Sequence, residues 1–530
     1  MFAAWGTTAQ KESKLTDRPK ARRVAVVGGG VSGLAAAYTL AQARKAGVPI
    51  EEMLIEAGPS LGGVIRTEMV EGFVIEAGPD SFLAEKPQAA AMARELGLGE
   101  ELIGSNDHAR RTYIFHQGRL QPLPDGLMFL VPTRLWPMIT TRLLPFGTKL
   151  AAVRELFHLP PAGDNGDESV ASFVKRHYGD AMVENIADPL LAGVYGGDSA
   201  GLSVRSVLPR FWEMERQHGS LTRATLKAMR QRRFAVPANS HHAAHHGHPG
   251  NPSSRNPPLF MTLKGGLQQM TEKLASSVER YRVILRRPVQ ALELAPEGPG
   301  GASDRCSRRF LIRCEGGRVY DADAVILAVP AHAAAAILPS LDPRLRELLE
   351  AIPYSSSMTV SLGFGEHTRP KLPHGFGFLV PRKEGRRMLA CTFVHAKFHH
   401  RAPEAKAMLR CFLGGARDPE VLKLHDDEVV ALVRRELREI LDFAAEPLFS
   451  RVHRWPVSMA QYGVGHGGRV SAIEERLGEL PGLYLAGNAY SGIGISDCIR
   501  TGKGAAEKAL HHVVPGWQQA GKTETSTQQA

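Results

Sequence analysis

Gly28, Gly30 and Gly33 follow directly on the apolar run Val24-Ala25-Val26-Val27 and precede an Ala/Leu-rich stretch from Leu34 to Ala43. That spacing suits phosphate chemistry. Gly28 permits a tight turn, Gly30 lets the backbone approach a pyrophosphate, and Gly33 lets a helix and a strand pack closely. The whole turn, Gly28, Gly29, Gly30, Val31, Ser32 and Gly33, would present N–H groups and the positive end of a helix to a diphosphate. A second β-run, Met53-Leu54-Ile55, ends at Glu56-Ala57. Glu56 lies 23 residues beyond Gly33, where a carboxylate can accept from ribose hydroxyls. Strand, glycine turn, helix, strand and terminal acid together predict a dinucleotide cradle.

The residues after Glu56 select the dinucleotide. Leu61-Gly62-Gly63-Val64-Ile65-Arg66 places two glycines where a second loop could approach the phosphate or ribityl chain of a flavin, with Arg66 as a cationic clamp. Glu76-Ala77-Gly78-Pro79-Asp80 continues in the same order. The expectation is FAD rather than NAD. No Ser-His-Asp triad or carboxylate pair is identifiable, so no catalytic side chain is named and the flavin N5 is expected to carry the chemistry. Five scattered cysteines (Cys306, Cys314, Cys391, Cys411, Cys498) match neither a disulfide framework nor CxxC metal spacing, which favours a reducing, cytoplasmic setting. No metal site is expected.

The elements that must position these residues exceed one core. At 530 residues, with 43% hydrophobic and 22% charged, the chain predicts two or three lobes. Helical patterning covers Ala89–Leu98, Phe146–Phe157 and Val170–Val183, and Thr262–Leu267 leads into a helix ending near Arg280. Val283–Leu285 and Tyr320–Pro330 read as strands, a mixed α/β block spans 353 to 415, and Gly482–Asn488 is a strand entering a glycine turn before a helix to about His511. Leu127 to Leu144 is apolar but broken by Pro132, Arg134 and Pro137. It reads as core packing, the alternative being a greasy opening that dips into a bilayer surface. Residues 236 to 258, with His241, His242, His245, His246 and His248, read as a flexible low-complexity insert. The net charge of +11 suits an acidic membrane surface or a polycarboxylate, but no nucleic-acid fingerprint appears and no nucleic-acid partner is expected. No apolar run of 18 residues exists to span a membrane.

Residues 24 to 67 resemble the two-dinucleotide-binding-domain flavoproteins. Glu76–Ser81, Leu191–Asp198, Gly375–Pro381 and Gly487–Tyr490 look like the oxygen-dependent protoporphyrinogen/coproporphyrinogen oxidases, and the likeness runs from about Arg22 to His512. The resemblance implies a Rossmann-like FAD-binding domain with an α+β substrate domain and a helical membrane-facing lobe. The expected division is a tail 1–21, FAD-binding parts 22–85, 259–335 and 446–512, a helical lobe and part of the substrate domain 86–220, the insert 236–258, a substrate domain 336–445 and a tail 513–530. For FAD the resemblance implies the glycine turn, Glu56, Ala57, Gly62, Gly63, Arg66, Gly78, Pro79, Asp80, Val289, Trp455, Gly487, Asn488, Ile493, Gly494 and Ile495. For substrate it implies Lys86, Arg111, Gly193 and Phe393. Thr112 stands where relatives often carry an Arg, with Arg110 and Arg111 just upstream. The implied reaction takes a porphyrinogen to the porphyrin in haem synthesis, with molecular oxygen as acceptor and hydrogen peroxide as product. The implied partners are a membrane surface touched peripherally on its cytoplasmic side, a second copy in a homodimer, and a ferrochelatase receiving the product. The rival readings are an amine oxidase or desaturase of the same fold, and a non-enzymatic prenyl-protein-binding relative resembling GDP-dissociation inhibitors.

Overall fold

The computed structural model describes residues 21–128, 130–161, 163, 166–234, 258–296 and 309–517. The histidine tract and most of both predicted tails lie outside these residues. Val24 to Val27, β-branched and alanine residues, are buried on both faces, as a central parallel strand requires. This strand, Arg22–Val27, pairs in parallel with Ile50–Ile55 on one side and Ala324–Leu327 on the other. Val283–Ile284 and Leu483–Leu485 complete a five-stranded parallel sheet assembled from three distant stretches of chain. The first helix, Val31–Lys45, and the last, Ile495–Val513, pack on it.

Tyr320–Pro330 reads as one strand from sequence but forms two. Val319–Ala322 belongs to a three-stranded antiparallel sheet, whereas Ala324–Leu327 enters the parallel one. Asp323 makes the break: it accepts from the Arg23 N–H at 2.7 Å and pairs with Arg22 at 3.3 Å, fixing the switch between sheets. The helix after Thr262 ends at Ser276, short of Arg280.

A seven-stranded sheet forms the second layer. Its order is Phe449–Ala460, Tyr354–Phe364, Ala407–Gly414, Met388–Phe393, Gly377–Leu379, Thr112–His116 and Arg119–Pro122. All neighbours are antiparallel except Gly377–Leu379 with Thr112–His116. The amphipathic helix Asp426–Leu441 covers one face through Val429, Val433 and Leu437.

Helices from Leu135 to Phe234 make a third region. The residues of Leu127–Leu144 divide between core and surface. Leu130, Val131, Met138, Leu143 and Leu144 are buried, while Trp136 and Ile139 on the short helix Leu135–Thr140 are exposed.

Candidate functional site

The glycine turn has the shape of a phosphate cradle. Gly28 adopts φ +106°, and a Cβ there would lie 2.5 Å from the Ala328 carbonyl oxygen. A Cβ on Gly33 would fall 1.8 Å from the Gly28 carbonyl oxygen, so only glycine lets the helix start this close to the strand. Gly30, by contrast, faces open space, with no heavy atom within 4 Å of where its Cβ would be. No side chain caps the helix at Gly30 and no acidic residue sits in its first turn, so its leading N–H groups are available to an anion. Gly62 and Gly63, both at positive φ, bring the second loop directly onto this turn. The Gly62 N–H donates to the Gly29 carbonyl at 2.9 Å, and a Cβ on Gly63 would touch the Gly30 Cα at 3.2 Å. These backbone cradles fit the diphosphate of FAD.

Glu56 ends its strand beside the turn. Its carboxylate accepts from Gly29 N–H and Gly58 N–H, each at 2.6 Å. The chain approaching Val289 runs alongside: Glu56 N–H donates to Ile284 O, and Arg287 N–H to Glu56 O. Val289 itself opens a strand of the three-stranded sheet.

Ala77 and Gly78 are held from below by the seven-stranded sheet. The Ala77 carbonyl accepts from Trp455 Nε1 at 2.8 Å and from Thr359 Oγ1 at 3.0 Å. Arg410 donates to the Gly78 carbonyl. Trp455, Thr359 and Arg410 stand on three adjacent strands, so the sheet fixes the height of this loop. Arg66 is exposed and lies 5.7 Å from the Trp455 ring centroid, a cation–π distance. Trp455 is half-buried over that loop rather than in the core.

Asp80 is a sheet anchor. Its carboxylate takes Lys397 Nζ at 3.0 Å and Ser81 Oγ at 2.7 Å, with Arg410 4.0 Å away. Burial alone would raise its pKa; Lys397 and Arg410 hold it well below the usual carboxylate range. A carboxyl lowered on folding stabilises the fold above its unfolded pKa and loses that contribution as pH falls toward the folded value. Asp80→Asn is therefore expected to cost roughly 1.5–3 kcal/mol at neutral pH and to flatten the acid limb of stability, measured by denaturant midpoints across acidic pH.

The second glycine turn precedes the last helix. Gly487 and Gly492 have positive φ, and a Cβ on Gly492 would strike the Asp497 carboxylate at 2.3 Å. Tyr462, which sequence reasoning missed, fixes the turn: its hydroxyl donates to Asn488 O at 2.8 Å and accepts from Gly492 N–H at 2.7 Å. Asn488 donates to Ser458 O at 3.0 Å. His466 stacks on Tyr462 with centroids 4.1 Å apart, and burial lowers its pKa to about 4. Burial pushes Tyr195 and Tyr354 up to about 12, so both phenols stay protonated at neutral pH, and the Tyr354 hydroxyl accepts from Ala331 N–H at 2.8 Å. Ile493 is half-buried, Gly494 is exposed at the helix start, and Ile495 is buried beneath it.

The four substrate-side residues separate. Arg111 meets Phe376, just before the strand Gly377–Leu379, and Gly193 meets the end of that strand. The Arg111 carbonyl accepts from Phe376 N–H at 2.8 Å, and a Cβ on Gly193 would contact Leu379 Cδ2 at 3.3 Å. Arg111 is exposed, with no ion-pair partner among the described residues, and Gly193 and Val194 are exposed on their helix, Asp188–Tyr195. Lys86 is exposed; its Nζ pairs with Asp497 at 2.6 Å, and its carbonyl accepts from Ser496 Oγ, so it also braces the second glycine turn. Phe393 lies apart from these. It is fully buried, edge-on to Phe378 in the core behind the sheet, and turns no ring face to an open surface. An alternating strand puts Thr392 on the opposite face.

The sequence pattern of the family described as flavin containing amine oxidoreductase matches residues 31–510. A coproporphyrinogen III oxidase from Bacillus subtilis (strain 168) is 33% identical over 93% of this chain and 98% of its own length. A chloroplastic protoporphyrinogen oxidase from Nicotiana tabacum is 28% identical, covering 91% of this chain and 84% of that protein. Among solved structures, one from Exiguobacterium sp. 255-15 is 30% identical, with TM-score 0.76 over 92% of this chain and 98% of that one. Cyclohexylamine oxidase from Brevibacterium oxydans IH-35A, 17% identical with TM-score 0.61 over 93% of this chain and 99% of that one, shares the fold.

Proposed function

Because the chain belongs to the flavin containing amine oxidoreductase family, we propose that it oxidises a porphyrinogen, coproporphyrinogen III ahead of protoporphyrinogen IX, to the porphyrin in haem synthesis. The end-to-end similarity to coproporphyrinogen III oxidases carries this reading. FAD, when bound, supplies a two-electron acceptor that dioxygen can reoxidise to release hydrogen peroxide. The chain's own residues bind and orient. The first glycine turn, Glu56, Gly62, Gly63 and Arg66 hold the cofactor. Ala77–Pro79 and Gly487–Ile495 frame its ring, and Asp80 acts from beneath through the sheet. Val289 and Ala57 border the nucleoside end.

The substrate is a flat, apolar macrocycle with carboxylates at its rim. Gly193, Val194 and Leu379 offer an uncluttered apolar face, and exposed Arg111 a cation for a carboxylate. Arg111→Ala is expected to raise KM for coproporphyrinogen about tenfold, and less for protoporphyrinogen, which has two carboxylates rather than four. Equal effects on both would remove Arg111 from the rim.

The decisive experiment is turnover by the purified yellow protein. Fluorescent porphyrin and oxygen uptake from coproporphyrinogen are expected. Oxidation of amines alone would overturn the reading, and a protein unable to take up FAD would favour a prenyl-protein-binding relative.

Peripheral membrane contact belongs to the same proposal. Trp136, Phe146, Phe157 and Leu159 are each more than 70% exposed in the helical region, beside exposed Arg134, Arg142 and Arg154. Such a greasy face ringed by cations suits the anionic cytoplasmic surface of a membrane, and no helix among the described residues is long and apolar enough to cross one. Replacing Phe146 and Phe157 by Ser is expected to cut co-sedimentation with anionic vesicles at least tenfold and leave flavin content unchanged. The family resemblance alone supports the homodimer and transfer of product to a ferrochelatase.

A further inference from the structure

Away from the glycine turns, three elements of the helical region bring a second set of reactive groups together. His177, on the helix Val170–Tyr178, has a fully buried imidazole. Its Nδ1 makes no hydrogen bond and lies 3.3 Å from Oε1 of Glu155, the last residue of the helix Phe146–Glu155. His158 follows three residues later, and the ligand atoms of Glu155, His158 and His177 all lie within 4.8 Å of one another. The His177 Nε2 is 3.1 Å from Glu215 Oε1, and Arg176 pairs with Glu215 and Glu168.

We propose that Glu155, His158 and His177 bind a divalent transition cation of the zinc class, with Glu215 orienting His177 from the far side of its ring.

Five arguments support the site. Ligand bonds of about 2.0–2.1 Å place the corners of a tetrahedron about 3.3 Å apart, the separation already present between His177 Nδ1 and Glu155 Oε1. A metal-bound histidine ordinarily gives its other ring N–H to a carboxylate, which is the position of Glu215. With neutral imidazoles, Glu168 and Glu215 pair with Arg176 while Glu155 has no guanidinium partner among the described residues, and with Arg223 at the His158 carbonyl the cluster keeps one net negative charge for a cation to offset. Glu155 is also rigidly held, accepting from Leu221 N–H at 2.5 Å and Ser220 Oγ at 3.0 Å. Arg223 fixes the His158 backbone by donating to its carbonyl at 3.0 Å. His158 is half-buried between exposed Phe157 and Leu159, which puts the cluster within reach of solvent. The cation would tie the end of the Phe146–Glu155 helix, which carries the exposed apolar face, to the helices Val170–Tyr178 and Pro209–His218.

The rival occupant is a proton on His177, bridging the two carboxylates. The test uses full-length flavoprotein in which His241, His242, His245, His246 and His248 are replaced by Asn, removing the chelating tract. After dialysis against zinc and then buffer, one zinc per chain is expected by elemental analysis, with a higher thermal midpoint than the metal-free protein. His158→Ala should weaken zinc affinity at least tenfold in competition with a chromophoric chelator while retaining FAD. Glu215→Gln should weaken it about 10–100-fold. Zinc absent after dialysis, or zinc retained equally by His158→Ala, would overturn the proposal. So would a thermal midpoint that responds to pH but not to zinc.

Discussion

Arg401→Met is expected to lose about 3–5 kcal/mol of stability, the range for removing one partner of a buried ion pair. Arg401 is 1% exposed. Its guanidinium pairs with Glu76 at 2.7 Å and donates to Thr262 Oγ1 at 2.6 Å. The Met side chain fills the stem's volume but leaves Glu76 charged in a site with 4% exposure. Glu76 keeps Thr67 Oγ1 and Leu267 N–H, both at 2.8 Å, and the longer-range attraction of buried Arg410, none of which replaces a directly paired cation. Equilibrium denaturation of the holoenzyme checks the loss, and the double variant Arg401→Met/Glu76→Leu should recover much of it, because the uncompensated charge is the cost. A single variant as stable as its parent would show that the pair contributes nothing. The expected functional consequence comes from position: Glu76 immediately precedes Ala77 and Gly78, so loosening it frees the loop that Trp455 and Arg410 hold.

The distribution of these anchors explains what could be read from sequence. The glycine turn was legible because its logic is local: strand, turn and helix are contiguous, and each glycine's constraint is met within a few residues or by the adjoining strand. The place of Glu56, at the end of its strand beside the turn, was legible for the same reason. Arg401, Arg410 and Lys397 were not, since their partners Glu76, Gly78 and Asp80 lie 325, 332 and 317 residues away. Nothing in a cation's neighbours announces such a partner. The same separation hides the partner of Lys86, since Asp497 is 411 residues distant. Phe393 is a different case. The strand Met388–Phe393 is buried along nearly all its length, so period-two alternation could not tell which face carries the ligand side. One signal was available and missed. Asp321 and Asp323 interrupt an apolar run that otherwise reads as one strand, and they mark the crossing from one sheet to another.

Gly33→Ala is expected to abolish retention of FAD through purification and to destabilise the apoprotein by about 1–3 kcal/mol, the usual range for overpacking. The added methyl would lie 1.8 Å from the Gly28 carbonyl oxygen and 3.2 Å from the Ala328 Cβ. Neither neighbour is a flexible side chain that can step aside, so the helix must withdraw from the strand and carry its N-terminal N–H groups away from the diphosphate. The same geometry is enforced from the other side of that helix. Gly502, in the last helix, would place a Cβ 2.1 Å from the Ser32 carbonyl oxygen. Gly502→Ala should therefore push the first helix from behind and release FAD as well. Gly504, two residues further along the same helix, has no heavy atom within 4 Å of its Cβ position, and alanine there should be neutral or stabilising by up to about 1 kcal/mol. Flavin content by absorbance and affinity by titration of apoprotein distinguish the three. If Gly504→Ala lost FAD as readily as Gly502→Ala, helix composition rather than close approach would control binding. If Gly33→Ala kept its flavin, the tight junction of turn and helix would not be what holds the diphosphate.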